Sequence, residues 1–467
     1  MTFRISHPPT YLAERRYIHD LLMGEFLGLG CVSRPHDRPE VRIDVPGHPD
    51  GKALVLPDVL FQVPESRWLT EAAMPRRPLA RWDVPAELAG APLVSRRLPV
   101  VFGRDSGRPC LYQESEEGAT LGVDIFGSAF FLRTRYEELA SPVADRHGRF
   151  PARASLAWQE GCLQRPLVNE YLEVLWAALC RLWPGLRRQP RSHRVLLSHD
   201  VDQPLCAVGR GLMDVLRSAG ADLALRRDLS LVPRRLRAYL EGRTGVFDTD
   251  PANTFDFVMS TSESQGLQSA FYFMAGHPPG RMDGRYSLHH PWIRKLLRRI
   301  GQRGHEIGLH GGYDSPRDPL RLRLEFDNLR RVAAEEGIRQ AVWGGRQHYL
   351  RWHNPATWQS WEAAGLDYDS TLAYADQPGF RCGVCYEYPV FDLKTRRSLR
   401  LRERPLVVME AALIDRPVPR WADVCDRIER LNRTCKLFRG DFTLLWHNSL
   451  LISRAERHWY SVIARSL

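Results

Sequence analysis

The sequence lacks any long hydrophobic run. No stretch of about eighteen apolar residues occurs, so we expect no membrane-spanning helix. The opening residues, MTFRISHPPTYLAERRYIH, also lack the apolar segment and the cleavage pattern of a signal peptide. The expected location is therefore the cytoplasm.

Cysteine is sparse and irregularly spaced. The nine cysteines are odd in number and scattered along the chain, which argues against a disulfide framework. Cys382 and Cys385 form a C-x-x-C pair, but no second pair or neighbouring histidine completes a zinc knuckle. A reducing compartment agrees with this pattern.

Negative charge is in deficit, and the net charge is +11. Arginine-rich runs at 186–194, 226–237 and 294–306 carry much of the excess. Such runs suit an acidic partner, although solvated helix faces are the plainer interpretation. Zinc-finger spacing, aromatic RNA-binding signatures and basic-zipper heptads are all missing, so we expect no nucleic-acid partner. Peripheral contact with an anionic membrane stays open.

The length and composition indicate an ordinary globular chain with more than one domain. The 467 residues are 43% hydrophobic and 26% charged. Residues 1–190 mix short β-like runs with helical patterns and predict an α+β N-terminal domain, with a strong amphipathic helix at 168–186. The basic stretch 184–193 contains proline and predicts a linker.

Residues 191–467 alternate short apolar strands with helical patterns, which predicts an α/β domain with a parallel sheet. The number of strands indicates a barrel-like closure, and the basic stretch 207–250 is predicted to be a helical insertion after the first strand. The strand candidates are 194–200, 269–276, 305–311, 341–349, 366–374, 406–413 and 442–449.

Titratable side chains gather where these strands end. Parallel α/β folds place their sites at the carboxyl ends of the strands, so five such coincidences point to a single site. The side chains are Asp200 and Asp202, His310 and Asp314, Arg346 and His348, Asp369, and His447.

The spacing favours a metal centre. Asp200 and Asp202 are two residues apart and project to one side of an extended strand. His310 and Asp314 are four apart, which places them on one face of a helical turn. One aspartate with His310 and Asp314 would give three ligands and an open position, as metal-assisted hydrolysis needs, and the other aspartate would serve as general base.

Plainer roles stay open for each of these residues. Asp202 and Asp314 could be helix caps or turn residues, and Arg346 could be a surface charge. His447 could be a core histidine with its hydrogen bonds satisfied. His199 has no assigned role and is either a partner of the site or a strand residue turned away from it.

The motifs, in order, are SHDVD, GHEIGLH, GGRQHYLRW, LDYDSTLAY and LLWHNS. Residues 191–467 therefore resemble the polysaccharide deacetylase superfamily, metal-dependent carbohydrate esterases related to chitin-oligosaccharide deacetylase. The resemblance implies an irregular seven-stranded (β/α) barrel and removal of N-acetyl, or sometimes O-acetyl, groups from sugars. Phrases such as DRHGRFPARASLA resemble an N-terminal domain of unknown role that accompanies a bacterial subgroup.

The resemblance also implies roles for individual residues. Asp200 corresponds to the catalytic base, and Asp202 to the first metal ligand. His310 corresponds to the second ligand, and Arg346 to the arginine that orients the base. His447 corresponds to the histidine that protonates the leaving group.

This sequence departs from the family pattern at one ligand. An aspartate, Asp314, stands where the family has a second histidine after His310, and the family's small hydroxyl residue is absent. Asp314 can bind the same ion, and His348 is a spare candidate. One divalent ion is expected, zinc first, with manganese, cobalt, iron or nickel as alternatives. Asp369 is expected to keep the polar shell of the site in place.

The expected function is thus a metal-dependent deacetylase acting on an acetylated sugar, nucleotide sugar or polysaccharide, in bacterial surface polysaccharide metabolism. Two alternatives are a non-catalytic glycan-binding or scaffold protein on the same fold and a carboxylate-pair glycosidase. The residues available to contact a sugar, with core packing as the alternative for each aromatic, are Tyr349, Trp352, Tyr374, Trp446 and His348.

Overall fold

The computed structural model describes most of the chain. The described residues are 1–104, 111–206, 208, 211–226, 228–276, 282–414 and 420–467, with the side chains of 221–226 left out. Residues 207, 209, 210 and 227 of the expected insertion therefore lie outside the described part. Among its described residues, the rest of that insertion contains two helices, Leu212–Arg226 and Leu231–Gly242.

The N-terminal part is mixed α and β. Its main sheet has the order β2-β1-β3-β4-β8-β7, and β5 pairs with β6 separately. The strands are β1 (Thr2–His7), β2 (Gly30–Pro35), β3 (Glu40–Asp44), β4 (Ala53–Pro57), β5 (Ala80–Asp83), β6 (Arg97–Val100), β7 (Tyr112–Ser115) and β8 (Gly118–Leu121). The helices are α1 (Leu12–His19), α2 (Ile125–Arg133), α3 (Tyr136–Ala140), α4 (Leu156–Gln159) and α5 (Leu167–Leu182).

The C-terminal part is an α/β layer built on one large sheet. The strands are β9 (Arg194–Val201), β10 (Ser269–Phe273), β11 (Glu306–Gly311), β12 (Gly344–Gln347), β13 (Tyr368–Asp369), β14 (Tyr388–Asp392), β15 (Arg397–Glu403), β16 (Val408–Met409) and β17 (Asp441–Leu445). The helices are α6 (Leu212–Arg226), α7 (Leu231–Gly242), α8 (Phe255–Glu263), α9 (Pro291–Gln302), α10 (Pro319–Glu335), α11 (Ala356–Ala364), α12 (Trp421–Leu437) and α13 (Arg454–Ser466).

The large sheet is parallel except at one edge. Its order is β14-β15-β13-β12-β11-β10-β9-β17-β16, and in the part of the chain that the structure describes only the β14–β15 pair is antiparallel. Each of the seven expected strands has a counterpart here, and the β14–β15 hairpin was not expected. Within the described residues β14 and β16 are edge strands. The α/β class with a parallel sheet is confirmed, and closure into a seven-stranded barrel is not.

Helix α9 shows how the sequence encodes these elements. Ile293, Leu296, Leu297 and Ile300 are buried at helical spacing, whereas the basic residues between them lie toward the surface. The helix begins after His290, whose ring nitrogen accepts a hydrogen bond from a backbone N–H of the first turn. Such helices cover the sheet, and its strands β10, β11, β12 and β17 are accordingly buried on both sides.

The two parts of the chain share one hydrophobic core. Side chains of the N-terminal sheet and helices belong to the same buried cluster as those of the large sheet. Among the described residues, no helix combines the length and apolarity needed to cross a bilayer. Because the two parts share one core, the domain division at residue 190 stays a prediction from the sequence.

A buried ion cluster joins the two parts. The side chains of Arg135, Glu138 and Arg381 are 1%, 5% and 1% exposed. Glu138 accepts from Arg135 Nε at 2.8 Å and from Arg381 Nη2 at 2.6 Å. Arg135 also donates to the carbonyl oxygen of Arg381. Arg135 Nη2 also pairs with Glu137 at 2.6 Å, so two arginines face two glutamates and the buried charges balance.

We predict that Arg381→Ala lowers the free energy of unfolding by about 3 kcal/mol, because it breaks a buried pair and leaves Glu138 with one partner. The matched control is Arg397→Ala, whose side chain is 55% exposed in its pair with Glu362. That change should cost less than about 1 kcal/mol. Urea unfolding of both variants checks this, and equal losses would contradict it.

Candidate metal centre

The expected strand-end residues come together at the carboxyl edge of the large sheet. Asp200 and Asp202 lie at the end of β9, His310 lies in β11, and His348 directly follows β12. His447 follows β17, the neighbour of β9 on the other side. Because β9 to β12 run parallel, these ends meet around a cavity of about 650 Å³.

The alternation along β9 separates two sets of side chains. Ser198 and Asp200 both contact Arg346, and Asp202 lies beside them next to His310. His199 projects to the opposite side, where its Nδ1 donates to the carbonyl oxygen of Trp446 at 2.7 Å. His199 is therefore a buried strand residue turned away from the site, and burial lowers its pKa to about 4.

Arg346 holds Asp200 in place. Its Nη1 donates to Asp200 Oδ1 at 2.7 Å, its Nη2 donates to the hydroxyls of Ser198 and Ser370, and its Nε donates to the Ser370 carbonyl. The guanidinium is 1% exposed. Its charge compensates the buried Asp200 carboxylate, which fixes one oxygen and leaves Oδ2 directed toward His310 at 3.8 Å.

Three side chains are arranged as metal ligands. One ligand atom from each of Asp202, His310 and His348 lies within 4.8 Å of the other two. Asp202 Oδ1 is 3.0 Å from His310 Nε2 and 3.7 Å from His348 Nε2. One carboxylate and two imidazoles form a donor set that zinc and related divalent ions accept.

The hydrogen bonds of the two histidines suit this role. His310 Nδ1 donates to the carbonyl oxygen of Arg346 at 2.9 Å, and His348 Nδ1 donates to Asp283 Oδ1 at 2.9 Å. Each bond fixes the tautomer that leaves the Nε2 lone pair free for an ion. Within the described residues, the buried His310 Nε2 and Asp202 Oδ1 face each other at 3.0 Å, and no other group forms a hydrogen bond with either atom. The residues present therefore fit a divalent ion.

Asp314, the third ligand expected from the sequence, is placed elsewhere. Its side chain is 56% exposed and faces Arg321 and Arg351 at 3.5 and 3.9 Å. The expected four-residue spacing assumed a helical turn after His310. The chain instead leaves β11 at Gly311 and turns toward solvent, so Asp314 lies apart from His310, and His348 stands with Asp202 and His310 in the candidate group.

His447 stands on the other side of Asp202, with its Nε2 3.6 Å from Asp202 Oδ2. Its Nδ1 contacts Glu410, a fully buried carboxylate that follows β16. Burial lowers the pKa of His447, but the charge of Glu410, helped by Asp202 and Asp200, outweighs it and raises the pKa to about 10. Burial likewise opposes ionisation of Asp202, yet the neighbouring histidines hold its pKa below the usual range.

Asp369 lies behind the site rather than in it. The residue is fully buried, its Oδ1 accepts from Thr371, and it is not among the residues that line the cavity. Burial raises the pKa of Asp369 to about 7, against the lowering effect of Thr371. Burial and the charge of Asp369 raise the pKa of Glu403 well above its usual value. This pair of carboxylates is a buried structural element in the sheet.

The expected sugar-contacting aromatics divide into two groups. Tyr349 and the ligand candidate His348 line the cavity. Trp352, Tyr374 and Trp446 are 2%, 1% and 0% exposed. Side chains without exposed surface cannot stack on a sugar ring, so these three are assigned to core packing in place of the expected binding role.

Two residues of the site were not expected from the sequence. Asp283, in the stretch after β10, orients His348 and accepts from the Tyr313 backbone N–H at 2.8 Å. Glu410 holds His447. Glu410 lies inside the predicted strand 406–413, whereas the strand itself ends at Met409, so the strand-end rule does not find Glu410 from the sequence. Asp283 follows no predicted strand directly, so the rule does not find it either.

A model described as a family of unknown function, DUF7033, matches residues 4–184. No curated protein matches the sequence. Among solved structures, a Mycobacterium smegmatis protein named as a polysaccharide deacetylase has a TM-score of 0.38 and 16% identity, covering 61% of this chain and 85% of that one. Puue allantoinase has a TM-score of 0.33 and 12% identity over the same shares. Neither likeness is close enough to carry an argument about this chain.

The Asp369–Glu403 pair predicts a pH dependence of stability. Both folded-state pKa values are raised, so the contribution of the pair is full below the ordinary carboxyl pKa. The part due to Asp369 is lost as pH rises through about 7. Asp369→Asn removes one titration and keeps an acceptor for Thr371. As the pH rises from 5 to 8.5, the difference in unfolding free energy between the variant and the wild type should shift by about 2 kcal/mol in favour of the variant.

Urea unfolding at the two pH values measures this difference. Since Asp369 does not line the cavity, the variant should also keep any hydrolytic activity within about tenfold of the wild type. The structural role would be contradicted if the unfolding free energies of both proteins changed equally with pH. A loss of activity of several orders of magnitude in the variant would also contradict it.

Proposed function

We propose that this chain is a metal-dependent hydrolase that removes an acyl group from an amide or ester, with an N-acetyl group on a sugar as the preferred substrate class. The observation that carries the proposal is the cluster of Asp202, His310 and His348 beside the arginine-held Asp200. Ligand candidates and a separate carboxylate at one cavity are the parts that such a hydrolysis requires.

The residues that would hold the ion are Asp202, His310 and His348. A divalent ion there would supply Lewis-acid polarisation of the scissile carbonyl and would make the attacking water more acidic. Asp200 stands 3.8 Å from His310 through its Oδ2, which is the oxygen that Arg346 leaves free. Asp200 Oδ2 is therefore the atom that takes the proton from the water.

His447 acts on the leaving group. Glu410 engages Nδ1, so the proton available to the substrate is on Nε2, which lines the cavity side near Asp202. A protonated imidazole at this position stabilises negative charge on the carbonyl oxygen or donates a proton to the departing amine. Asp200 and His447 thus divide the work of base and acid on opposite sides of Asp202.

The sugar part of the proposal comes from the motif resemblance, not from the cavity alone. The order SHDVD, GHEIGLH, GGRQHYLRW and LLWHNS is similar to that of the polysaccharide deacetylases. His348 takes the place of their second ligand histidine from a different strand. The open cavity, with Tyr349 in its wall, suits a ring-shaped polar substrate.

Metal binding is the first test. We predict about one divalent ion per chain in protein purified with added zinc, measured by atomic emission after dialysis. Asp202→Ala, His310→Ala and His348→Ala should each lower the occupancy at least tenfold, because each removes a ligand atom. Asp314→Ala is the matched control and should bind as the wild type does. Loss in the Asp314 variant with retention in the His348 variant would contradict the ligand assignment.

Acetate release is the second test. With a panel of N-acetylated sugars and nucleotide sugars, we predict release by the wild type that stops when a chelator is added. Asp200→Asn should lower kcat by about 10²–10⁴, since the base is lost while the ligands stay. Activity that survives chelation would favour a carboxylate-pair glycosidase. A metal-free chain that binds glycans without release would favour the binding protein.

A further inference from the structure

The N-terminal part reaches into the cavity through one loop. This loop, residues 145–149, carries the sequence DRHGR and lies within the match to the family of unknown function. Arg149 lines the same cavity as Asp202 and His310. The proposed hydrolysis has so far assigned no role to this loop.

The loop contacts a strained turn directly after the ligand candidate His348. Tyr349 has φ 60° and ψ 13°, and Leu350 has φ 54°. Two consecutive residues with bulky side chains in the left-handed region are disfavoured, so the surrounding structure must hold them there. The turn continues directly from the backbone of His348, whose ring stands in the candidate ligand group.

Three contacts from the loop hold the turn. Arg149 Nη1 donates to the Tyr349 carbonyl oxygen at 3.1 Å. The His147 ring lies 4.8 Å from the Tyr349 ring. Arg351, at the end of the turn, donates from Nε to the His147 carbonyl oxygen at 2.8 Å. Backbone and side chain of the strained segment are thus both fixed by the N-terminal part.

Arg149 is itself held rigidly. Its Nε donates to Asp145 Oδ2 at 2.8 Å, while Asp145 Oδ1 accepts from the backbone N–H groups of His147 and Arg149. The side chain is only 21% exposed. Because the Arg149 guanidinium is fixed, its hydrogen bond can hold the Tyr349 carbonyl in one place, whereas a mobile surface arginine could not.

We propose that Arg149 is a positioning residue for the metal centre, which acts by holding the Tyr349–Leu350 turn so that His348 Nε2 faces Asp202 and His310. This inference rests on the metal site proposed above. It assigns to the N-terminal part a function in completing the site, in addition to the core that it shares with the large sheet.

Cobalt binding tests the inference. The wild type and Arg149→Ala are titrated with Co²⁺, whose visible absorption reports the ligands and their geometry. We expect Arg149→Ala to bind at least tenfold more weakly with an altered spectrum, as for other residues that orient a ligand. The matched control is Arg153→Ala, an exposed arginine of the same segment, which should behave as the wild type does. Thermal unfolding confirms that both variants are folded.

A second background separates positioning from general destabilisation. Tyr349→Gly removes the left-handed strain at the first of the two positions, so Arg149→Ala should lower Co²⁺ affinity less in that background than in the wild type. Wild-type affinity and spectrum in a folded Arg149→Ala would overturn the inference and leave the proposed function intact. So would an equal loss in both backgrounds. A wild type that binds no Co²⁺, Zn²⁺ or Mn²⁺ would overturn both proposals.

Discussion

The buried ion pair between Arg346 and Asp200 joins two strands that are not neighbours, and the candidate site is built around it. β12 and β9 are separated by β11 and β10, so the guanidinium reaches across the carboxyl edge of the sheet. The guanidinium of Arg346 pairs with the carboxylate of Asp200. Asp202 is thereby left to face the histidines. Removing either member would leave a buried charge unpaired, at a cost of about 3–5 kcal/mol.

Successive side chains of β9 point to opposite faces of the sheet, and this alternation gives neighbouring residues of the strand different roles. Val201 lies between two carboxylates that face one cavity, and His199 lies on the opposite face among aromatic side chains. Side chains that end or follow β11, β12 and β17 reach the same cavity, because these strands end at the same edge of the sheet as β9. The N-terminal part then closes the arrangement, since its loop 145–149 contacts the turn that follows His348.

Much of this could be predicted where local pattern and topology agree. The alternation of strand and helix predicted the parallel sheet, and the strand-end rule indicated Asp200, Asp202, His310 and Arg346 as one cluster. The β14–β15 hairpin was missed because β15 alternates charged and apolar residues and resembles an exposed connection. The prediction for Asp314 relied on helical spacing, which does not apply where a strand ends in Gly311 and a turn.

Other features depend on contacts between distant segments that no local pattern contains. Asp283 and Glu410 become partners of His348 and His447 only when four strand ends converge. The sequence could not predict which aromatic residues near the motifs line the cavity and which pack in the hydrophobic core. Trp352 and Trp446 are buried because helices cover both faces of the sheet, and Tyr349 is exposed to the cavity because its turn leaves the sheet.

Anomalous diffraction from crystals grown with zinc tests the central claim most directly. The account predicts one strong peak at the carboxyl edge, bonded to an Asp202 oxygen and to Nε2 of His310 and His348 at about 2.0–2.2 Å. Asp200 should remain paired with Arg346 and unbound to the ion. A peak coordinated by Asp314 instead of His348, or no peak at this edge, would contradict it.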